Sequence, residues 1–252
     1  VSGADVRQSG YRAWHTPRGK TNRYTDETLG RSVAGPEIAP EGGIAYVVSF
    51  LKWRAAHNYD SSVLLTGDEG NGKSTLGFRI VHGVGRWDWA NLDYTVDDVL
   101  ASYERLNPRN RGMPIFFDEG AREYYSGESV GTPKQKALSQ AFMLVRELGG
   151  TLVACWPTIW AAPKQFRSRR ATLWIHVKSR GIAWVFERDH RLTFLPSPAL
   201  RFTRSPTCPM LTWEPYPEDS ALWVRYSAIK TKRLHEFLAE IRAGLREGKD
   251  EE

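Results

Sequence analysis

Two observations in the sequence predict an α/β fold with a mainly parallel central sheet. Short apolar runs of strand length alternate with stretches of helical periodicity, and the first apolar run passes through a glycine-rich loop into a helix. Residues 1–40 are rich in Gly, Pro, Ser, Thr and Arg and sustain no period, so they read as an extended arm or leader. From Glu41 onward, Ile44, Val47, Val48, Leu51 and Ala55 recur at helical spacing. SSVLLTG, ending at Gly67, is an apolar run bounded by turn residues and predicts a buried strand, and the stretch after Lys73 predicts a helix. Within 93–106, Thr95 with Asp98 three residues on is a variant of the capping box and marks a helix start. MPIFF (113–117) and TLVACW (151–156) predict two further buried strands. Between them, residues 134–148 are helical in pattern and stop at Gly149-Gly150.

Residues 172–178 and 182–187 alternate apolar and polar side chains about a Ser179-Arg180-Gly181 turn. They predict a β-hairpin, which Leu192–Leu195 would extend. The prolines from Pro196 to Pro217 are expected to break regular structure, and a long charged helix is expected from Asp219 to about Arg246. The expected organisation is an arm over 1–40, a core over 41–200, and a Pro-rich linker with a C-terminal helix over 201–252.

The 252 residues, 41% hydrophobic and 25% charged, suit one globular core with appendages and exclude wholesale disorder. Thirty-five Lys and Arg against 29 Asp and Glu leave a net charge of +6, which favours an anionic partner. Cys155 and Cys208 are too few and too far apart for a disulfide framework or a zinc cage, and fit a reducing cytoplasm. No apolar run is long enough to span a membrane. The segment VSGADVRQSG does not read as a signal peptide, and its opening on Val rather than Met suggests a start upstream of Val1.

The most specific motif is Gly67-Asp68-Glu69-Gly70-Asn71-Gly72-Lys73-Ser74, followed by Thr75, which meets G-x-x-x-x-G-K-[ST] at every defined position. Average residue usage would produce it in roughly 1% of chains this long, and the strand before it and helix after it reduce that further. Glycines let backbone N–H groups converge on phosphate oxygens, and the helix turns its positive end to the same anion. Lys73 is placed to reach the terminal phosphates and Ser74 to ligate Mg²⁺. Downstream, FFDEG sets Asp118 and Glu119 at the mouth of a buried strand, where two carboxylates need a cation or solvent. Asp118 is the candidate metal ligand and Glu119 the candidate base for the attacking water. The Asn/Thr-Lys-x-Asp motif expected of a GTPase does not occur.

GDEGNGKST, FFDEG, the helix ending VRELGG and the strand TLVACWPT together resemble the additional-strand, catalytic-glutamate branch of P-loop ATPases. The resemblance covers residues 61 to about 187 and is nearest to FtsK/HerA-type DNA translocases, viral genome-packaging ATPases and Zot-like ATPases. It implies a P-loop NTPase with a RecA-like core, ATP and Mg²⁺ as ligands, and a homo-oligomeric ring. It also implies a polar sensor after the strand at 151–156, for which Thr158 is the candidate, and an arginine finger entering a neighbour's site. Arg146, Arg167, Arg169 and Arg170 are the candidate fingers.

Residues 164–191 hold eight cations against Glu187 and Asp189, which equals the net charge of the whole chain. Arg167, Arg169, Arg170, Lys178 and Arg180 lie there beside Trp160, Phe166, Trp174 and Trp184, a mixture suited to phosphates and bases. The leading expectation is a Mg²⁺-dependent ATPase that moves or packages DNA as an oligomer. The alternatives are a Zot-like assembly or secretion ATPase acting on protein, and a non-motor loader that uses ATP as a latch.

Overall fold

The computed structural model describes residues 23–26, 31–34, 43–107, 109, 112–118, 140, 148–164, 166–188 and 202–250. Ten strands and four helices follow in chain order among them. β1 (Arg23–Asp26) and β2 (Arg31–Ala34) form an antiparallel pair by themselves. The main sheet contains β3 (Ser61–Thr66), β4 (Leu92–Asp93), β5 (Pro114–Phe117), β6 (Thr151–Cys155), β7 (Leu173–Ser179), β8 (Ile182–Arg188), β9 (Phe202–Arg204) and β10 (Met210–Thr212). The helices are α1 (Ile44–Ala56), α2 (Lys73–Val84), α3 (Val96–Glu104) and α4 (Ala221–Asp250).

The strand order is β10-β8-β7-β3-β6-β5-β4, with β9 pairing β8. The five strands from β7 to β4 are parallel, and β8, β9 and β10 extend the sheet antiparallel. The expected α/β class therefore holds, with a mainly parallel sheet, a hairpin extension and a C-terminal helix. β6 lies between β3, which feeds the glycine-rich loop, and β5, which ends at Asp118.

Both faces of the sheet are covered, so β3, β5 and β6 read as continuous apolar runs and are buried throughout. α2 packs on β5 and β6 at very short range. A Cβ on Gly77 would lie 2.4 Å from Phe116 Cε2 and 3.0 Å from Leu65 Cδ1. On the other face, Val96, Val99 and Tyr103 of α3 join Leu64, Ile115, Phe117 and Trp156 in one buried cluster. α3 starts on the capping box read from sequence: Thr95 Oγ1 accepts from the Asp98 N–H at 3.1 Å, and Asp98 Oδ2 accepts from the Thr95 N–H at 3.2 Å.

Two expectations change. The segment 1–40 contains the β1–β2 ladder, whose four-residue strands are too short to register as a period. The stretch 196–217 contains β9 and β10, so the sheet continues past residue 200. Pro206 and Pro209 fall between these strands, where a missing N–H removes no ladder bond. β4, only two residues long, carries no sequence signature. The helix expected over 134–148 and the hairpin extension at Leu192–Leu195 lie largely or wholly outside the described residues. The chain divides into two compact units, Val1–Trp213 and Glu214–Glu252.

Candidate phosphate-binding site

The loop between β3 and α2 is shaped by glycines with left-handed backbones: Gly67 at φ +144°, Gly70 at +76° and Gly72 at +91°. At Gly67 the absence of a side chain is obligatory, because a Cβ would sit 2.5 Å from the Val177 carbonyl oxygen. Gly72 is the residue from which α2 departs, so the loop leads directly into the first helical turn, whose leading N–H groups have no acceptor within the helix. Amides at a helix start and the positive end of the helix dipole are suited to an anion, which makes this loop the candidate site.

Lys73, the first residue of α2, turns back over the loop. Its Nζ donates to the Gly67 carbonyl at 2.7 Å and the Asp68 carbonyl at 2.8 Å. Ser74, the next residue, donates from Oγ to Asp118 Oδ1 at 2.9 Å. Asp118 lies at the end of β5 and is fully buried, and its backbone N–H donates to the Asp93 carbonyl at 2.9 Å. A hydroxyl and a buried carboxylate in direct contact are a hard-oxygen pair of the kind that suits Mg²⁺, so these residues fit that ion. Asp68, Glu69 and Gly70 are exposed at the loop tip, and Asn71, Gly72 and Thr75 are half-buried.

The β7–β8 hairpin closes one side of the loop, a relationship the sequence does not reveal. Asn71 Nδ2 donates to the Lys178 carbonyl at 3.4 Å and Arg180 Nε to the Gly70 carbonyl at 3.2 Å. A Cβ on Gly72 would lie 3.6 Å from the ring of Trp213, whose backbone N–H donates to the Gly181 carbonyl at 3.0 Å. Thr66, the last residue of β3, is held by β7: its Oγ1 accepts from Trp174 Nε1 at 2.8 Å and lies 3.0 Å from His176 Nδ1. Burial lowers the His176 pKa below its ordinary value of 6.5. The charge on Lys73 pushes the same way, and Asp68 opposes it.

The remaining candidates separate. Thr158 is exposed, and its Oγ1 accepts from the Ala161 N–H at 3.2 Å within a local turn. The neighbouring Pro157 carbonyl is what meets the loop, accepting from the Gly67 N–H at 3.1 Å. Arg170 is engaged inside the protein: its guanidinium pairs with the Asp60 carboxylate, and their side chains are only 11% and 15% exposed. Arg167 lies 4.9 Å above the Trp160 ring and donates to the Trp160 carbonyl at 3.2 Å. Arg169 and Lys178 are exposed. Arg188, counted in the basic segment, donates to the carbonyls of Ala171, Ser168 and Arg167, bracing the end of a π-helical turn over Phe166–Arg170. Glu119 and Arg146 lie outside the described residues.

No family model and no curated protein matches the chain. Among solved structures, it is similar to the N-terminal domain of zonular occludens toxin from Neisseria meningitidis. That similarity has a TM-score of 0.37 and 14% identity, over 64% of this chain and 96% of that one.

Proposed function

We propose that the protein is a Mg²⁺-dependent ATPase that works as an oligomeric DNA motor, in translocation or packaging. The observation that carries the reading is the contact between Ser74 and Asp118 at the end of a glycine-rich loop over which the Lys73 ammonium is folded. Lys73 is already poised with its ammonium over the loop. A phosphate chain would offer it charged acceptors in place of two carbonyls, an exchange that favours the anion. Ser74 and Asp118 would hold Mg²⁺, which neutralises charge on the terminal phosphates when bound. Asp118 keeps its place through its backbone bond to Asp93, and Ser74 through the first turn of α2. Glu119, one residue past Asp118, is the group assigned to take a proton from the attacking water.

The DNA half of the reading rests on the +6 charge of residues 164–191 beside exposed and half-exposed tryptophans. The test is ATP turnover by the full chain with and without DNA, alongside its mass in solution with ATP. Glu119→Gln should retain ATP and lose turnover, and DNA should raise the wild-type rate. Turnover in Glu119→Gln equal to wild type removes Glu119 from its role. A wild-type rate indifferent to DNA, with no salt-sensitive binding, removes the motor.

A further inference from the structure

The antiparallel extension of the sheet has two unlike faces. Ile175, Val177, Ala183, Val185 and Leu211 alternate onto one face and are buried. The opposite face carries Trp184 at its centre. His176 lies directly across on β7 and Met210 directly across on β10, both opposite Trp184 in the strand register. Ile182, two residues before Trp184 on β8, shares its face. Ile182 is 37% exposed and Met210 50%, so apolar surface borders Trp184 along its own strand and on the edge strand.

The cations of this region gather on the same ring. Lys178 Nζ lies 5.4 Å from the Trp184 centroid and the Arg204 guanidinium 5.0 Å, and both side chains belong to exposed residues. Among the residues of β7 to β10 the one carboxylate is Glu187. It is held on the other face, accepting from Tyr46 Oη at 2.8 Å and from Ser205 Oγ. One face thus carries an indole at its centre and cations beside it, with no carboxylate from its own strands. That chemistry suits a chain of phosphates bearing unstacked bases. Bases in a duplex are stacked on one another and are not available to an aromatic side chain on a sheet.

We infer that this face binds a single-stranded polynucleotide, with bases on Trp184 and its apolar neighbours and phosphates on Lys178 and Arg204. The inference rests on the nucleic-acid half of the proposed function and deepens it. The face is also bonded to the catalytic side of the sheet, since Trp174 and His176 of the same strand grip Thr66 at the base of the phosphate loop. Strand occupancy and nucleotide occupancy therefore meet at one residue.

The test is anisotropy of a labelled oligothymidylate of about 20 nucleotides, long enough for one such surface. The same-length abasic strand and a duplex serve as comparisons, all with the full chain and across a salt series. Trp184→Ala is expected to weaken oligothymidylate binding about tenfold while changing abasic-strand binding little. The Lys178→Ala/Arg204→Ala pair alters only exposed side chains and so keeps the test independent of any folding defect in Trp184→Ala. It should weaken both strands and lower the slope of log K against log salt by about 1.4, for two phosphates on a single strand.

Wild type binding the abasic strand as well as oligothymidylate would overturn the stacking role. Unchanged binding in the Lys178/Arg204 pair, with wild type still binding and stimulated, would overturn the surface and leave the DNA reading standing. Wild type binding no nucleic acid would remove both. A loss of oligomer mass in the pair with strand binding intact would show the face to be a subunit contact and overturn the inference.

Discussion

Ser74 Oγ donates to Asp118 Oδ1 at 2.9 Å although the strands that lead to these residues are separated by β6. α2 makes the contact possible. It packs on the sheet so closely that Gly77 admits no Cβ against Phe116 of β5 and Leu65 of β3, which brings the first turn of the helix within reach of the end of β5. The two halves of the candidate site, the glycine-rich loop and the Asp118 carboxylate, are thus joined by a helix packed closely on the sheet.

Asp118→Asn should separate metal binding from folding. The amide keeps the size of the carboxylate and an oxygen to accept from Ser74, but loses the charge a divalent ion requires. Mg²⁺-dependent turnover should fall by about a hundredfold or more, the upper range for lost ligand support at a metal site. Thermal unfolding without nucleotide should change far less. A variant with wild-type magnesium dependence would show that Asp118 does not hold the ion.

Three glycines near the site should respond differently to alanine. Gly70→Ala meets nothing within 4 Å and bears only the left-handed backbone, a cost of about 1–2 kcal/mol. Gly67→Ala has both a left-handed backbone and the Val177 carbonyl 2.5 Å from the new Cβ, so β7 or the loop must move. Gly77→Ala drives a methyl into Phe116 and Leu65 and should cost about 1–3 kcal/mol by overpacking. Urea midpoints should place Gly70→Ala as the mildest of the three. Nucleotide affinity should fall most for Gly67→Ala, because the displaced backbone is the loop itself.

Arg170 and Arg169 are adjacent in a basic run, but the structure gives them different work. Arg170→Ala leaves Asp60 without its ion partner at a site where both side chains are largely buried, and should cost about 3–5 kcal/mol of stability. Arg169 is exposed, and its replacement by alanine should shift the urea midpoint hardly at all. Equal stability losses in the two variants would contradict the Arg170–Asp60 assignment.

The legible parts of the molecule are those whose signals are local in sequence. Gly67 to Thr75 announces itself because strand, loop and helix follow within a few residues, and Asp118 because it ends an uninterrupted apolar run. The β7–β8 hairpin shows through period-two alternation about Gly181. Hidden from sequence are contacts that depend on strand order. Trp174 reaches Thr66 across 108 residues, Asn71 reaches Lys178 across 107, and Arg170 finds Asp60 across 110. A charge count finds the basic segment but cannot tell which guanidinium meets a carboxylate, which braces a turn and which faces water. β9 and β10 have three residues each, too few for any periodicity to appear.

His176 should tie stability to pH near the glycine-rich loop. Its pKa in the fold lies below the 6.5 of an unfolded chain, chiefly from burial and then from Lys73. In a pH window just below 6.5 the unfolded chain takes up this proton while the fold resists it. The stabilising contribution of neutral His176 is therefore complete above pH 6.5 and is lost as pH falls from that value through the folded pKa. His176→Gln should flatten this limb of the urea midpoint against pH, with the rest of the profile retained. Histidine titration by NMR provides the second check. Lys73→Ala should move the His176 pKa up toward 6.5, and Asp68→Asn should move it further down, because those charges act in opposite directions on the ring. A His176 that titrates at 6.5 or above in the wild type, unmoved by either change, would show that the ring is solvated and electrically separate from the loop.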